Sequence, residues 1–154
     1  MKTILHLKHF IIVSILLLTA LTGCLGGNRN NVVPVEGELA DEIAEEAQPI
    51  AENILIGLND NDYATFSLDF DMMMKRGLDE KSFNTMKTTF DEKIGKFVSM
   101  EVEKVEKVEE SYYAITYRAR FEKEDGVTFR MTINQNDPPE VAGVWFTSPK
   151  LRSQ

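Results

Sequence analysis

The side chains with the widest catalytic range sit near the start of this 154-residue chain. Its single cysteine is Cys24, and both of its histidines, His6 and His9, precede it. One thiol cannot form an intramolecular disulfide. If the chain is cut before Cys24 and that cysteine is capped, the remainder has neither imidazole nor thiol. Ser-His-Asp and Cys-His nucleophiles, histidine acid–base steps and His/Cys zinc sites are then excluded. Carboxylates, lysines and tyrosines remain.

The carboxylates, tyrosines and arginines form three clusters. Asp60, Asp62, Asp69 and Asp71 have the chemistry of a calcium site, but the spacing lacks the glycine and terminal glutamate of an EF-hand. They read better as helix caps and loop, so no metal is expected, and no cofactor either. Tyr63, Tyr113 or Tyr117 with Asp69 or Asp71 would supply a carboxylate base and a phenol donor. Against this, the inward positions of the cleanest strands carry no Asp or Glu, so no catalytic residue is assigned. Arg118, Arg120 and Arg130 share the outer face of two adjacent strands. They would meet an anionic partner or a second copy in a sheet-to-sheet homodimer, or pair across strands with Glu101, Glu103 and Glu122. The formal charge of −8 repels nucleic acid, so no polynucleotide partner is expected.

Around Cys24 the order of residues is specific. Lys2 and Lys8 make a basic start, Phe10 to Leu18 is an apolar run shorter than a spanning helix, and Leu21-Thr22-Gly23-Cys24 comes next. This resembles prokaryotic lipoprotein leaders. The resemblance implies that residues 1–23 are a signal peptide and that Cys24 becomes the lipidated N-terminus. The domain would then be held at the cell membrane, outside the cytoplasm, because two acyl chains anchor stably. Residues 24–40 are then the lipidated cysteine and a flexible tether. Gly26, Gly27, an Asn run and Pro34 suggest a spacer of roughly 20 Å root-mean-square.

Residues 41–148 are expected to be one α+β domain, and 149–154 a tail. A composition of 43% hydrophobic and 27% charged residues suffices for one core. Ala40 to Leu58 repeats apolar residues at helical spacing, with Pro49 expected to kink or split it. Asp62 would cap a short second helix through Phe70, and Asp79 a third from about Asp79 to Ile94, ending at Gly95. Strand alternation then runs through Lys96–Val108, with a bulge near Lys104, and through Tyr112–Glu122. It continues in Val127–Ile133 and, with a phase shift around Gly143, in Glu140–Thr147. Asp125-Gly126 reads as a hairpin turn. The expected architecture is three N-terminal helices packed on a curved four-stranded antiparallel sheet.

Several strings occur together: L-N-D-N-D-Y, F-D-M-M-M-K, G-L-D, G-K-F, Y-A-I-T-Y-R-A-R-F, V-T-F-R-M-T-I and V-A-G-V-W-F. Together they resemble a domain of unknown function of prokaryotic envelope lipoproteins, sometimes found before an alpha/beta-hydrolase domain. That domain's fold is similar to the nuclear-transport-factor-2 and ketosteroid-isomerase superfamily. The resemblance implies a cone-like domain and supplies no catalytic residues.

A cone offers an inner pocket. Phe66 and Met73 from the helices, with Tyr113, Tyr117, Phe129 and Met131 from the sheet, are its candidate lining, with Met72, Met74 and Trp145 nearby; the alternative is a filled core. The expectation is a lipid-anchored, non-enzymatic module binding a small apolar ligand or a protein partner. The alternatives are a small enzyme using Asp/Tyr chemistry, or a structural or dimerisation module.

Overall fold

A computed structural model describes residues 31–153. The signal-peptide, Cys24 and early-tether readings therefore lie outside the described residues.

One sheet and one long helix dominate. Strand β1 (Val32–Val35) precedes helix α1 (Glu38–Asp60), and short helices α2 (Tyr63–Phe66) and α3 (Met72–Gly77) lead to α4 (Glu80–Lys93). Strands β2 (Phe97–Val108), β3 (Tyr112–Phe121), β4 (Glu124–Asn134) and β5 (Val141–Thr147) come next, then a last turn of helix, α5 (Pro149–Arg152). The five strands lie in the order β1-β2-β3-β4-β5, all antiparallel.

This corrects the expected three helices on four strands. The fifth strand comes from the stretch expected to be tether: Val32 to Val35 pair with Val108 to Val105 on β2. Pro34 fits because β1 is an edge strand, where a missing N–H breaks no inner ladder. The helical part differs too. One helix of 23 residues carries most of it, and the expected second helix reduces to a single turn with a further short helix after it. Pro49 does not split α1. It lies on the exposed side, where water can satisfy the carbonyl it frees.

Local chemistry explains the ends. Asp62 accepts from the Ala64 and Thr65 amides, Asp71 from Met74 N and Asp79 from Ser82 N, so three aspartates cap three helices. Gly95, at a φ of 76°, ends α4 in the left-handed region. Gly57 lets α2 approach α1: a Cβ there would meet Phe66 N at 2.3 Å.

The sheet is irregular where its sequence alternation breaks. Register shifts occur between Val102 and Lys104 in β2 and near the β3–β4 hairpin. The turn of that hairpin is Glu122-Lys123, and the expected Asp125-Gly126 turn falls inside β4. In β5 the extra residue is Ala142, which leaves Trp145 opposite Arg130 on the outer face.

The core lies between α1 and the inner sheet face. Ile43, Ala47, Ile50, Ala51, Ile54, Leu55 and Leu58 pack on Ile115, Tyr117, Phe129, Met131 and Ile133. Two aromatic stacks run through it. Tyr117, Phe129 and Phe146 lie nearly parallel, and Phe66 meets Phe70 and Phe83 edge-on or tilted.

Candidate functional site: a groove between the long helix and the second strand

The N-terminal half of α1 stands away from β2. Between them runs a groove of roughly 510 Å³ lined by Val35, Ala40, Asp41, Ala44, Glu45 and residues 102–105. An apolar extension of roughly 280 Å³ continues past Ala44, Gln48 and Val102.

The sequence builds this gap in two ways. Ala40 and Ala44 are one helical turn apart and end at Cβ, so the wall is low where a leucine would fill it. On the other side, the β2 bulge places Glu103 as the unpaired residue between Val102 and Lys104. Val102 pairs with Tyr117, whose side is the core side, yet it remains 43% exposed because no helix covers it.

The rim is mainly acidic. Asp41 and Glu45 line it from the helix, whereas on β2 the charged ends turn to the outer sheet face, where Lys104 donates to Glu106 at 2.9 Å. Glu103 lies 3.6 Å from Arg118 on the neighbouring strand.

Directly across from Val102, the Tyr117 side chain is 0% exposed, and its hydroxyl has no hydrogen-bond partner among the described residues. Burial, and then the nearby charge of Glu52, push that phenol's pKa well above 10.0. Glu52 in turn accepts from Gln48 Nε2 at 2.7 Å, and Gln48 lines the groove extension. The one orphaned buried side-chain hydroxyl of the described residues thus lies behind the groove wall. A phenol this firmly protonated can donate a hydrogen bond at neutral pH and cannot act as a base.

The other candidate residues are dispersed. Phe66, Tyr117, Phe129 and Met131 are all fully buried and packed in the core. Tyr113 is half-buried, and Met73 is 72% exposed on α3, outside that group. The six therefore do not line one space. Tyr63 donates to Leu78 O at 3.0 Å, Asp69 accepts from Asn53 at 3.0 Å, and Asp71 caps Met74, so these bonds pair no tyrosine with a carboxylate. Asp60, Asp62, Asp69 and Asp71 do not converge, and no group of three metal-ligating side chains occurs among the described residues.

The outer-face arginines have strand neighbours. Arg118 approaches Glu103, Arg120 Nε donates to Ser99 Oγ at 3.4 Å, and Arg130 donates to Glu106 and Thr116. Glu106 is absent from the sequence-based candidates, although its place opposite the basic strands is legible there. Burial opposes its charge, but hydrogen bonds from Arg130 and Lys104 and their charges outweigh that and hold its pKa below 4.5. Sequence reasoning also misses the groove. Its signal is the broken valine phase at Val102 and Val105, which by itself reads only as a bulge.

The stretch that carries half of this groove also carries the family match. A family model described as a protein of unknown function (DUF3887) matches residues 51–138, more than half of the chain. The chain belongs to the DUF3887 family. The matched stretch holds Val102, Val105 and Tyr117, whereas Ala40, Ala44 and Gln48 precede it. The groove therefore lies partly within the matched stretch and partly before it. No curated protein matches the chain. No helix among the described residues is long and apolar enough to cross a membrane.

Proposed function

We propose that this DUF3887 protein is a lipid-anchored cell-envelope protein, tethered through Cys24, whose domain binds a small amphipathic molecule without transforming it. The observation that carries the binding reading is Val102. It is a core-facing valine left open in a groove whose floor is apolar and whose rim carries Asp41 and Glu45. Such a site suits an apolar body with a cationic or hydrogen-bond-donating end. Binding rather than catalysis is favoured because residues 25–154 contain neither histidine nor cysteine, and because Tyr63, Asp69 and Asp71 bond elsewhere. The resemblance to lipoprotein leaders supports the anchor.

Native mass spectrometry of the full chain purified from its host membranes tests this reading. The expected result is a retained adduct in the wild type that disappears in Ala44→Trp, which fills the groove. An adduct retained equally by both, or found in neither, overturns it. Acylation is read from the same spectra, with Cys24→Ser expected to lose the lipid mass.

A second reading is a protein partner or second copy on the outer sheet face. It is favoured by Trp145, which lies 55% exposed over Gly143 and opposite Arg130. Sedimentation of wild type and Trp145→Lys separates the two: a dimer that Trp145→Lys dissociates supports this reading.

A further inference from the structure

Strand β1 shortens the link between anchor and domain. The sheet begins at Val32, and the Asn31 carbonyl accepts from Glu109 N at 2.9 Å, so the chain enters at the β2–β3 turn. On the Cys24 anchor proposed above, on which this inference rests, only residues 25–31 intervene. Fully extended they reach at most about 25 Å. The domain must then keep this end of the sheet near the bilayer.

The same end of the sheet has an unusual corner. Register places Val32, Val108, Tyr112 and Asn134 in one row, and Val141 begins β5 beside it. There Phe70 bridges to Val141, and Asp71 N donates to Val141 O at 3.0 Å. Helix α3 starts at the next residue. Leu68, Met72 and Met73 are 61%, 65% and 72% exposed, the three most exposed large hydrophobic side chains of the described residues. Lys75 and Arg76 come directly after, and the Lys75 ammonium reaches back to Leu68 O at 3.5 Å. From β1 to β5 is four strand spacings, about 19 Å, so the corner lies within the tether's reach of the surface.

We propose that Leu68, Met72 and Met73 insert into the bilayer that carries the Cys24 anchor, with Lys75 and Arg76 at the level of the headgroup phosphates. Flexible thioether side chains fit a disordered acyl boundary, and long basic side chains extend to the polar layer. Glu109, Glu110, Asp137 and Glu140 occupy the turns at the same sheet end, so attraction to anionic lipid is not the driving force. Burial of the three apolar side chains is. Val102 lies six residues along β2 from Val108, about 20 Å further from the membrane, which leaves the groove open to the aqueous side.

The test uses the full chain reconstituted into phosphatidylcholine–phosphatidylglycerol vesicles, with and without bromine on the acyl chains. In a W145F background, M73W is expected to lose emission with brominated lipid because its ring sits among the acyl chains, and I56W, on the exposed side of α1, to be unchanged. Adding Leu68→Glu and Met72→Glu to M73W is expected to remove the quenching while acylation and vesicle flotation persist. Unquenched M73W on an acylated, floating protein overturns the docking and leaves the anchor standing. A mass showing unmodified Cys24 overturns both.

Discussion

The Asn59 side chain clasps the Phe97 backbone from both sides. Its Oδ1 accepts from Phe97 N at 2.8 Å, and its Nδ2 donates to Phe97 O at 2.9 Å. A residue in the last turn of α1 thus fixes where β2 begins, across 38 positions of chain. Asn59→Ala removes both bonds and is expected to cost about 2 kcal/mol. Asn59→Asp keeps the acceptor but sets a second carboxylate oxygen against Phe97 O, acceptor facing acceptor, so it should cost at least as much. Urea denaturation of the three proteins checks the order.

Two glycines should respond in opposite directions to the same change. A Cβ at Gly57 would lie 2.3 Å from Phe66 N and 2.6 Å from Phe66 Cα, so backbone would have to move. Gly57→Ala is expected to lose roughly 3 kcal/mol or more. A Cβ at Gly77 meets nothing within 4 Å, and Gly77→Ala is expected to gain about 0.5 kcal/mol by restricting the unfolded chain. Paired melting curves give the comparison.

Tyr117→Phe removes a buried hydroxyl that has no partner, and it keeps the stack with Phe129. The expected gain is about 1 kcal/mol at neutral pH. The pH dependence has a definite sign. The folded phenol holds its proton above the ordinary value of 10.0, whereas the unfolded one releases it near there. Tyr117 therefore drains stability as pH rises past about 10. The advantage of Tyr117→Phe should widen in that alkaline range, as read by denaturation at stepped pH. A constant advantage would mean that the phenol deprotonates in the folded state, through solvent or a bound group.

Glu106→Gln tests the ion pair on the outer sheet face. The carboxylate accepts from Lys104 and Arg130, and its pKa is held below 4.5. Its contribution is therefore present above about pH 4.5 and fades as pH falls below that. The glutamine variant is expected to be about 1.5 kcal/mol less stable at neutral pH, and the gap should close in acid, as read by denaturation at both pH values.

Much of this molecule depends on neighbours in the chain and is legible without coordinates. Asp62 and Asp79 stand where helix amides need acceptors, Gly95 stands where α4 must turn, and alternation marks β3 and β4. These are local rules, satisfied by residues within a few positions of one another. The chemistry open to residues 25–154 is equally legible, since composition alone removes imidazole and thiol. The strand at Val32–Val35 is not, because its partners lie some 70 residues away on β2 and its own sequence reads as spacer. Pro49 misleads for a related reason: a proline breaks a helix or is tolerated according to which face meets water, and the tertiary packing decides that. The groove is hidden for the same cause. Ala40, Ala44 and Val102 are ordinary small or apolar residues, and only the distance at which α1 settles above a bulged β2 turns them into a wall and a floor. Caps and alternation are written in adjacent residues, whereas edges, gaps and exposed corners arise from how distant segments meet.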